Sequence, residues 1–204
     1  MEQFIRFVMV RHGETVANKT SYIQGQSESE LTDLGRAQAH ATAEALRGEH
    51  FDACYSSDLK RALDTAKTIL AAGHDGLAAQ PEPGLREWKL GVFEGRPVAE
   101  FRAAFSSFQR TICDVNGDVQ IPGGESRGEF MARVGRTLSR LAARHRAGER
   151  ILLVTHGGAI RMALGVVYGP PAPNALAPEV ANAGVTVMDY YPAEGKWRLV
   201  SWNC

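Results

Sequence analysis

Short apolar runs ending in polar breaks recur along the chain and set its elements. They predict strands at Phe4–Val10, Ala53–Ser56, Ile151–Thr155, Val185–Tyr191 and Trp197–Trp202. Between them the apolar spacing lengthens to that of a helix. "LTDLGRAQAHATAEALRG" is rich in alanine and stops at Gly48, and "SSDLKRALDTAKTILAAG" opens with Ser57 or Asp58 as an N-cap and closes at Gly73. "ESRGEFMARVGRTLSRLAARHRAG" places Phe130, Val134, Leu138 and Leu141 on one face. Its arginines Arg133, Arg136, Arg140 and Arg144 line another side and read as a solvated stripe.

Alternating strands and helices predict an α/β fold. The expected architecture is a three-layer sandwich, a mostly parallel central sheet with one antiparallel strand and helices on both faces. The antiparallel strand belongs to the last pair, which only "PAEGK" separates, as in a hairpin. Residues Gln80 to Gly124 hold a helical piece near Pro97–Arg110 but are otherwise irregular. They read as an excursion, at about 80–124, over the pocket of a single domain spanning 1–204.

Composition narrows the function. Lys plus Arg and Asp plus Glu are each 23 of 204 residues, so no overall field recruits nucleic acid or an acidic membrane, and neither is an expected partner. Any anion site must be local. Cys54, Cys113 and Cys204 share no metal-type spacing and read as reduced thiols of a cytoplasmic protein. No run approaches the ~18 apolar residues that a membrane span needs. Oligomeric state stays open.

The candidate chemistry lies at strand ends. In open α/β sheets ligands bind beyond the carboxyl ends of the strands. The first strand delivers Arg11 and His12 there, and "ILLVTHGG" delivers His156. Arg61, in the first turn of the helix after "ACYSS", leans back over the same rim. Gly13, Gly157 and Gly158 follow the histidines and would let backbone approach a ligand, while the helix after Gly158 presents a positive N-terminus. Two arginines, two histidines and a helix N-terminus point to a bound phosphate. Two other classes remain open: a phosphate-binding protein without catalysis, and a metalloenzyme using His12, His156 and Glu87 as ligands.

In its ordered motifs the sequence resembles the histidine phosphatase superfamily, which includes cofactor-dependent phosphoglycerate mutases. "RHGETVAN", "LTDLGRAQA", "SSDLKRALDTA", "LREWKLGVFEG", "PGGES" and "VTHGG" carry the resemblance over nearly the whole chain. It implies that His12 is phosphorylated in turnover and that Arg11, Arg61 and His156 hold the phosphoryl group. It makes Glu87 the proton donor, with Glu94 the fallback, and places Asn18, Gln24, Gly25 and Gly157 around the substrate. No metal and no cofactor is implied.

Mutase members usually carry asparagine where this chain has Gly158, which favours a metal-independent phosphatase of small phosphorylated metabolites, although Arg96 leaves room for a second anionic group. "IQGQ" and "IPGGES" resemble the TIGAR-like branch, implying sugar bisphosphates such as fructose-2,6-bisphosphate. Phosphoglycerate mutase, α-ribazole phosphatase and broad-specificity phosphomonoesterase are the alternatives.

Overall fold

A computed structural model describes residues 3–74, 76–111, 120–169 and 179–204. Its elements are β1 (Ile5–Arg11), α1 (Val16–Lys19), α2 (Asp33–Leu46), β2 (Ala53–Ser56), α3 (Lys60–Ala71) and β3 (Ala79–Pro81). There follow 3₁₀ turns at Pro83–Leu85 and Gly91–Phe93, then α4 (Val98–Thr111), α5 (Arg127–Ala142), β4 (Arg150–Thr155), α6 (Gly157–Tyr168), β5 (Val185–Tyr191) and β6 (Lys196–Ser201).

The strands form one sheet in the order β3-β2-β4-β1-β5-β6. Pairings β2–β3, β2–β4 and β1–β4 are parallel, whereas β5 is antiparallel to both β1 and β6. One strand therefore runs against the other five, as the hairpin predicts.

The continuous apolar runs of β1 and β4 have a direct cause: both faces of these central strands are covered. Ile5, Phe7 and Met9 of β1, with Ile151 and Leu153 of β4, pack against Phe130, Val134, Leu138 and Leu141 of α5 and Ile160 of α6. The alternate residues Val8, Val10, Leu152 and Val154 pack against Ala43 and Leu46 of α2 and Ala62, Ala66 and Ile69 of α3. A smaller cluster of Leu90, Phe93 and Ile121, with Trp88 and Phe101 beside it, underlies the described part of the excursion.

Two local expectations are corrected, and the ends of one helix are defined. β3 has no counterpart among the expected strands, because "AQP" is short, carries a proline and is mostly exposed. Neither Ser57 nor Asp58 caps α3: the cap position is Leu59, which has no side-chain cap bond. Those two polar side chains are spent elsewhere, Ser57 on His156 and Asp58 on Arg86. Finally, α5 starts at a capping box between Ser126 and Glu129 and ends at Ala142, short of Gly148.

Cys54 is a buried free thiol whose pKa burial pushes up to about 12, and Cys204 is an exposed one. Cys113 lies outside the described residues. Among the described residues no helix is long and apolar enough to cross a membrane.

Candidate active site

Sheet order brings the candidate residues together. β2, β4 and β1 are neighbours, and the parallel register sets Arg11 opposite Thr155. The next residue on each strand is a histidine, and the His12 N–H donates to the Thr155 carbonyl at 2.9 Å. The two imidazole centroids lie 5.1 Å apart with an interplanar angle of 61°.

His12 is 3% exposed, and its Nδ1 lies 2.7 Å from the Gly13 carbonyl oxygen. A carbonyl can only accept, so Nδ1 carries the proton and Nε2 keeps a free lone pair. Burial, then the charges of Arg61 and Arg11, hold the His12 pKa well below its ordinary value. The ring is therefore neutral at pH 7, with Nε2 unprotonated.

His156, the N-cap of α6, is fully buried. Its Nε2 lies 2.8 Å from Ser57 Oγ, and the Leu59 N–H donates to that same oxygen at 3.3 Å. With one lone pair of Oγ engaged by Leu59, the Ser57 hydroxyl is free to donate to Nε2 and leave a proton on Nδ1. Burial, then Arg61, His12 and Arg11, keep this pKa well below its ordinary value too. His156 is therefore neutral at pH 7, and in the tautomer with its proton on Nδ1 it can offer a donor there.

Three buried nitrogens here have no partner among the described residues: Arg11 Nε, Arg61 Nε and His156 Nδ1. Buried polar groups normally have a partner, whether protein, water or ligand, so these nitrogens are available to bind one. Arg61 is 1% exposed and donates to the Gly25 and Ser27 carbonyls at 2.7 Å each. Arg11 donates from Nη1 to the Val180 carbonyl. Burial lowers both guanidinium pKa values, with Glu87 the leading opposing charge.

Glu87 stands over the N-terminus of α6. One carboxylate oxygen accepts from the Gly158 N–H at 3.0 Å and the other from its neighbour Trp88 at 2.8 Å. A Cβ at position 158 would sit 1.9 Å from Glu87 Oε1. Glycine there makes room for the carboxylate. Glu94, the fallback acid, is occupied otherwise. Its Oε1 accepts from the N–H groups of Gln26 and Leu90 at 2.9 Å each, joining two loops.

Gly13 serves the fold more than a ligand. A Cβ there would meet the Gly35 carbonyl oxygen at 2.2 Å, and one on Gly35 would meet the Glu14 oxygen at 1.9 Å. Two backbones touch, which explains both "HG" in β1–α1 and "LG" in α2. A Cβ on Gly157 would contact the Arg11 side chain at 3.4 Å.

Asn18 closes the capping box of α1, and its Oδ1 accepts from Asn182 at 3.2 Å. Asn182 also donates to the His12 carbonyl at 3.2 Å. Gln24 leaves a buried Oε1 with no partner among the described residues, and Gly25, at φ +52°, supplies a carbonyl to Arg61.

Ser57 and Asn182 escape a reading of the sequence as site residues. Both act from loops, where no periodicity marks them. The arginine stripe also needs correcting: Arg133 is engaged with the loop before Glu87, and Arg140 pairs with Glu82 at 2.8 Å. Among the described residues no group of three or more His, Cys, Asp or Glu side chains could hold a metal ion.

Residues 7–204 match the family model described as the histidine phosphatase superfamily (branch 1). A probable phosphoglycerate mutase, GpmB, from Yersinia pestis (strain Pestoides F) is 34% identical over 198 residues, covering 97% of this chain and 90% of the relative. Among solved structures, a mycobacterial glucosyl-3-phosphoglycerate phosphatase in complex with VO3 superposes with a TM-score of 0.82 at 34% identity, covering 98% of each chain. A putative α-ribazole-5'-P phosphatase from Escherichia coli gives 0.82 at 27% identity, covering 98% of this chain and 96% of that one.

Proposed function

From a chain that belongs to the histidine phosphatase superfamily, branch 1, we propose a metal-independent phosphatase that hydrolyses small phosphate monoesters through a phosphohistidine at His12. One observation carries the reading. A neutral imidazole with a free Nε2 faces a second imidazole 5.1 Å away, among buried arginine and histidine nitrogens that have no partner among the described residues.

The chemistry follows from these groups. His12 Nε2 attacks phosphorus as the bond to the ester oxygen breaks. Arg11, Arg61 and His156 Nδ1 take up the charge spread over the phosphoryl oxygens, the main requirement of such a transfer. Glu87 gives its proton to the departing alkoxide, then accepts one from the water that attacks the phosphohistidine. Ester and water become alcohol and inorganic phosphate, and His12 returns to its starting form.

Hydrolysis, as against return of the phosphoryl group to an acceptor, is supported by Gly158, the position where mutase members usually carry asparagine. The substrate reading is a phosphorylated sugar or glycerate, of the kind named for the mycobacterial relative, with sugar bisphosphates included. Mutase activity is the second reading, favoured by the name of the Yersinia relative at equal identity.

The test is to mix enzyme with radiolabelled phosphoester, quench, and look for label stable to base and labile to acid. Wild type should carry it; His12→Ala should carry none, turn over no substrate and melt cooperatively. Label retained in His12→Ala would end the proposal. Assays on phosphorylated glycerates and sugars, with and without a glycerate acceptor, separate hydrolysis from mutase transfer.

A further inference from the structure

We propose that Arg133 is the positioning residue for Glu87, gripping the backbone of its loop so that the carboxyl group is held at the reacting ester. The inference rests on the reading of Glu87 as proton donor. Gly84, Leu85, Arg86 and Glu87 present four consecutive backbone carbonyls, and every one accepts a hydrogen bond. Arg133 makes three of these: Nη1 to Gly84 and Arg86 at 3.0 Å each, and Nη2 to Glu87 at 3.1 Å. Thr155 Oγ1 takes the carbonyl of Leu85 at 2.6 Å, and Gln26 Nε2 adds a second bond to Glu87 at 3.1 Å.

The remaining two N–H groups of Arg133 fork onto Glu125, Nε to Oε1 and Nη2 to Oε2, at 2.7 Å each. All five donors of the guanidinium are then used. Glu125 is fastened to the far end of the same loop. Its Oε2 accepts from the Lys89 N–H at 3.1 Å, its own N–H donates to the Lys89 carbonyl at 2.9 Å, and its carbonyl accepts from Trp88 Nε1 at 2.9 Å. The Arg133 guanidinium lies 5.0 Å from the centroid of Phe130, whose ring stacks on Trp88. One side chain of α5 thus grips residues 84 to 89 on both sides of Glu87, while α6 holds its carboxylate.

A planar fork with five donors does this and an ammonium group cannot, since its three donors radiate from one nitrogen. Arg133→Lys keeps the charge and releases the loop. Misplacing a reacting group by about 1 Å costs on the order of 10²-fold, so the loss should be of that order where proton donation matters most.

The experiment is kcat/KM across aryl phosphates, from p-nitrophenyl to p-methoxyphenyl, for wild type, Arg133→Lys, Glu87→Gln and the double variant. Poor leaving groups need the proton and good ones do not. Arg133→Lys should lose less than about 3-fold on p-nitrophenyl phosphate and on the order of 10- to 100-fold on the poorest leaving group. The double variant should fall no lower than Glu87→Gln alone on that substrate. Equal loss across the series, or additive losses in the double variant, overturns the proposal. If Glu87→Gln itself shows equal loss, the reading of Glu87 falls first; if only Arg133→Lys does, the clamp falls alone. Should Arg133→Lys fail to melt cooperatively, Glu125→Gln replaces it under the same criterion, with a smaller dependence on leaving group expected.

Discussion

Glycine at 158 decides where a carboxylate can rest. A single methyl there would occupy the space of Glu87 Oε1 and drive the side chain off the N–H at the start of α6. Gly158→Ala should therefore lower kcat/KM on the order of 10- to 100-fold on esters with poor leaving groups. Its melting temperature should change little, because the added methyl meets only the far end of the Glu87 side chain and no backbone. Steady-state kinetics and a thermal melt check both halves; unchanged activity would show that Glu87 works from another position. Identities of this kind are legible in the sequence, since His12, His156, Arg11, Arg61 and Glu87 all stand in recognisable motifs. Their partners are not. Helical spacing would pair Asp58 with Arg61, yet Asp58 binds Arg86 through both oxygens, with Arg86 Nε donating at 2.7 Å. Such choices depend on which loops meet across the sheet, and local spacing carries no trace of that.

The strands and helices are more open to reading than the joints between them. β1 and β4 announce themselves because burial on both faces demands unbroken apolar sequence, and the four apolar anchors of α5 are all buried. β3 escapes because an edge strand of three residues has too little to bury. The Gly13–Gly35 contact shows what a joint costs to build: the turn after β1 lies directly on the first turn of α2, with no side chain between them. Gly35→Ala should destabilise the fold by about 1–3 kcal/mol, since neither backbone can move aside without disturbing β1 or α2. Denaturant unfolding with an unchanged m-value would report it. A loss below about 0.5 kcal/mol would mean that the two elements separate freely. The α5 arginines carry the opposite lesson, because helical spacing alone cannot tell a solvated cation from one that serves a loop.

Taken as a molecule, the protein stores its charge chemistry in a buried centre. Burial holds both His12 and His156 below their ordinary pKa, first by desolvation and then through Arg61. In the unfolded chain a histidine titrates near ~6.5. Below that point the unfolded state binds protons that the folded state refuses, so stability falls as pH falls. The limiting slope is about 1.4 kcal/mol per pH unit for each ring. Asp58 and Glu125, whose carboxyl pKa values are lowered, lose their contribution only at more acidic pH. The melting temperature should therefore decline between about pH 6.5 and 5, and less steeply in His12→Ala. Parallel curves for the two proteins would refute the assignment.

The placement of β1 has a consequence for biosynthesis. The strand that ends just before His12 is translated before the rest of the sheet, yet both of its neighbours, β4 and β5, begin only at residues 150 and 185. A nascent polypeptide therefore leaves the ribosome with "IRFVMVR" bare of its hydrogen-bonding neighbours until residue 150 and beyond have been made. Premature termination before Arg150 would release a fragment whose most apolar ribbon has nothing to zip against, a natural client for chaperones and a seed for inclusion bodies.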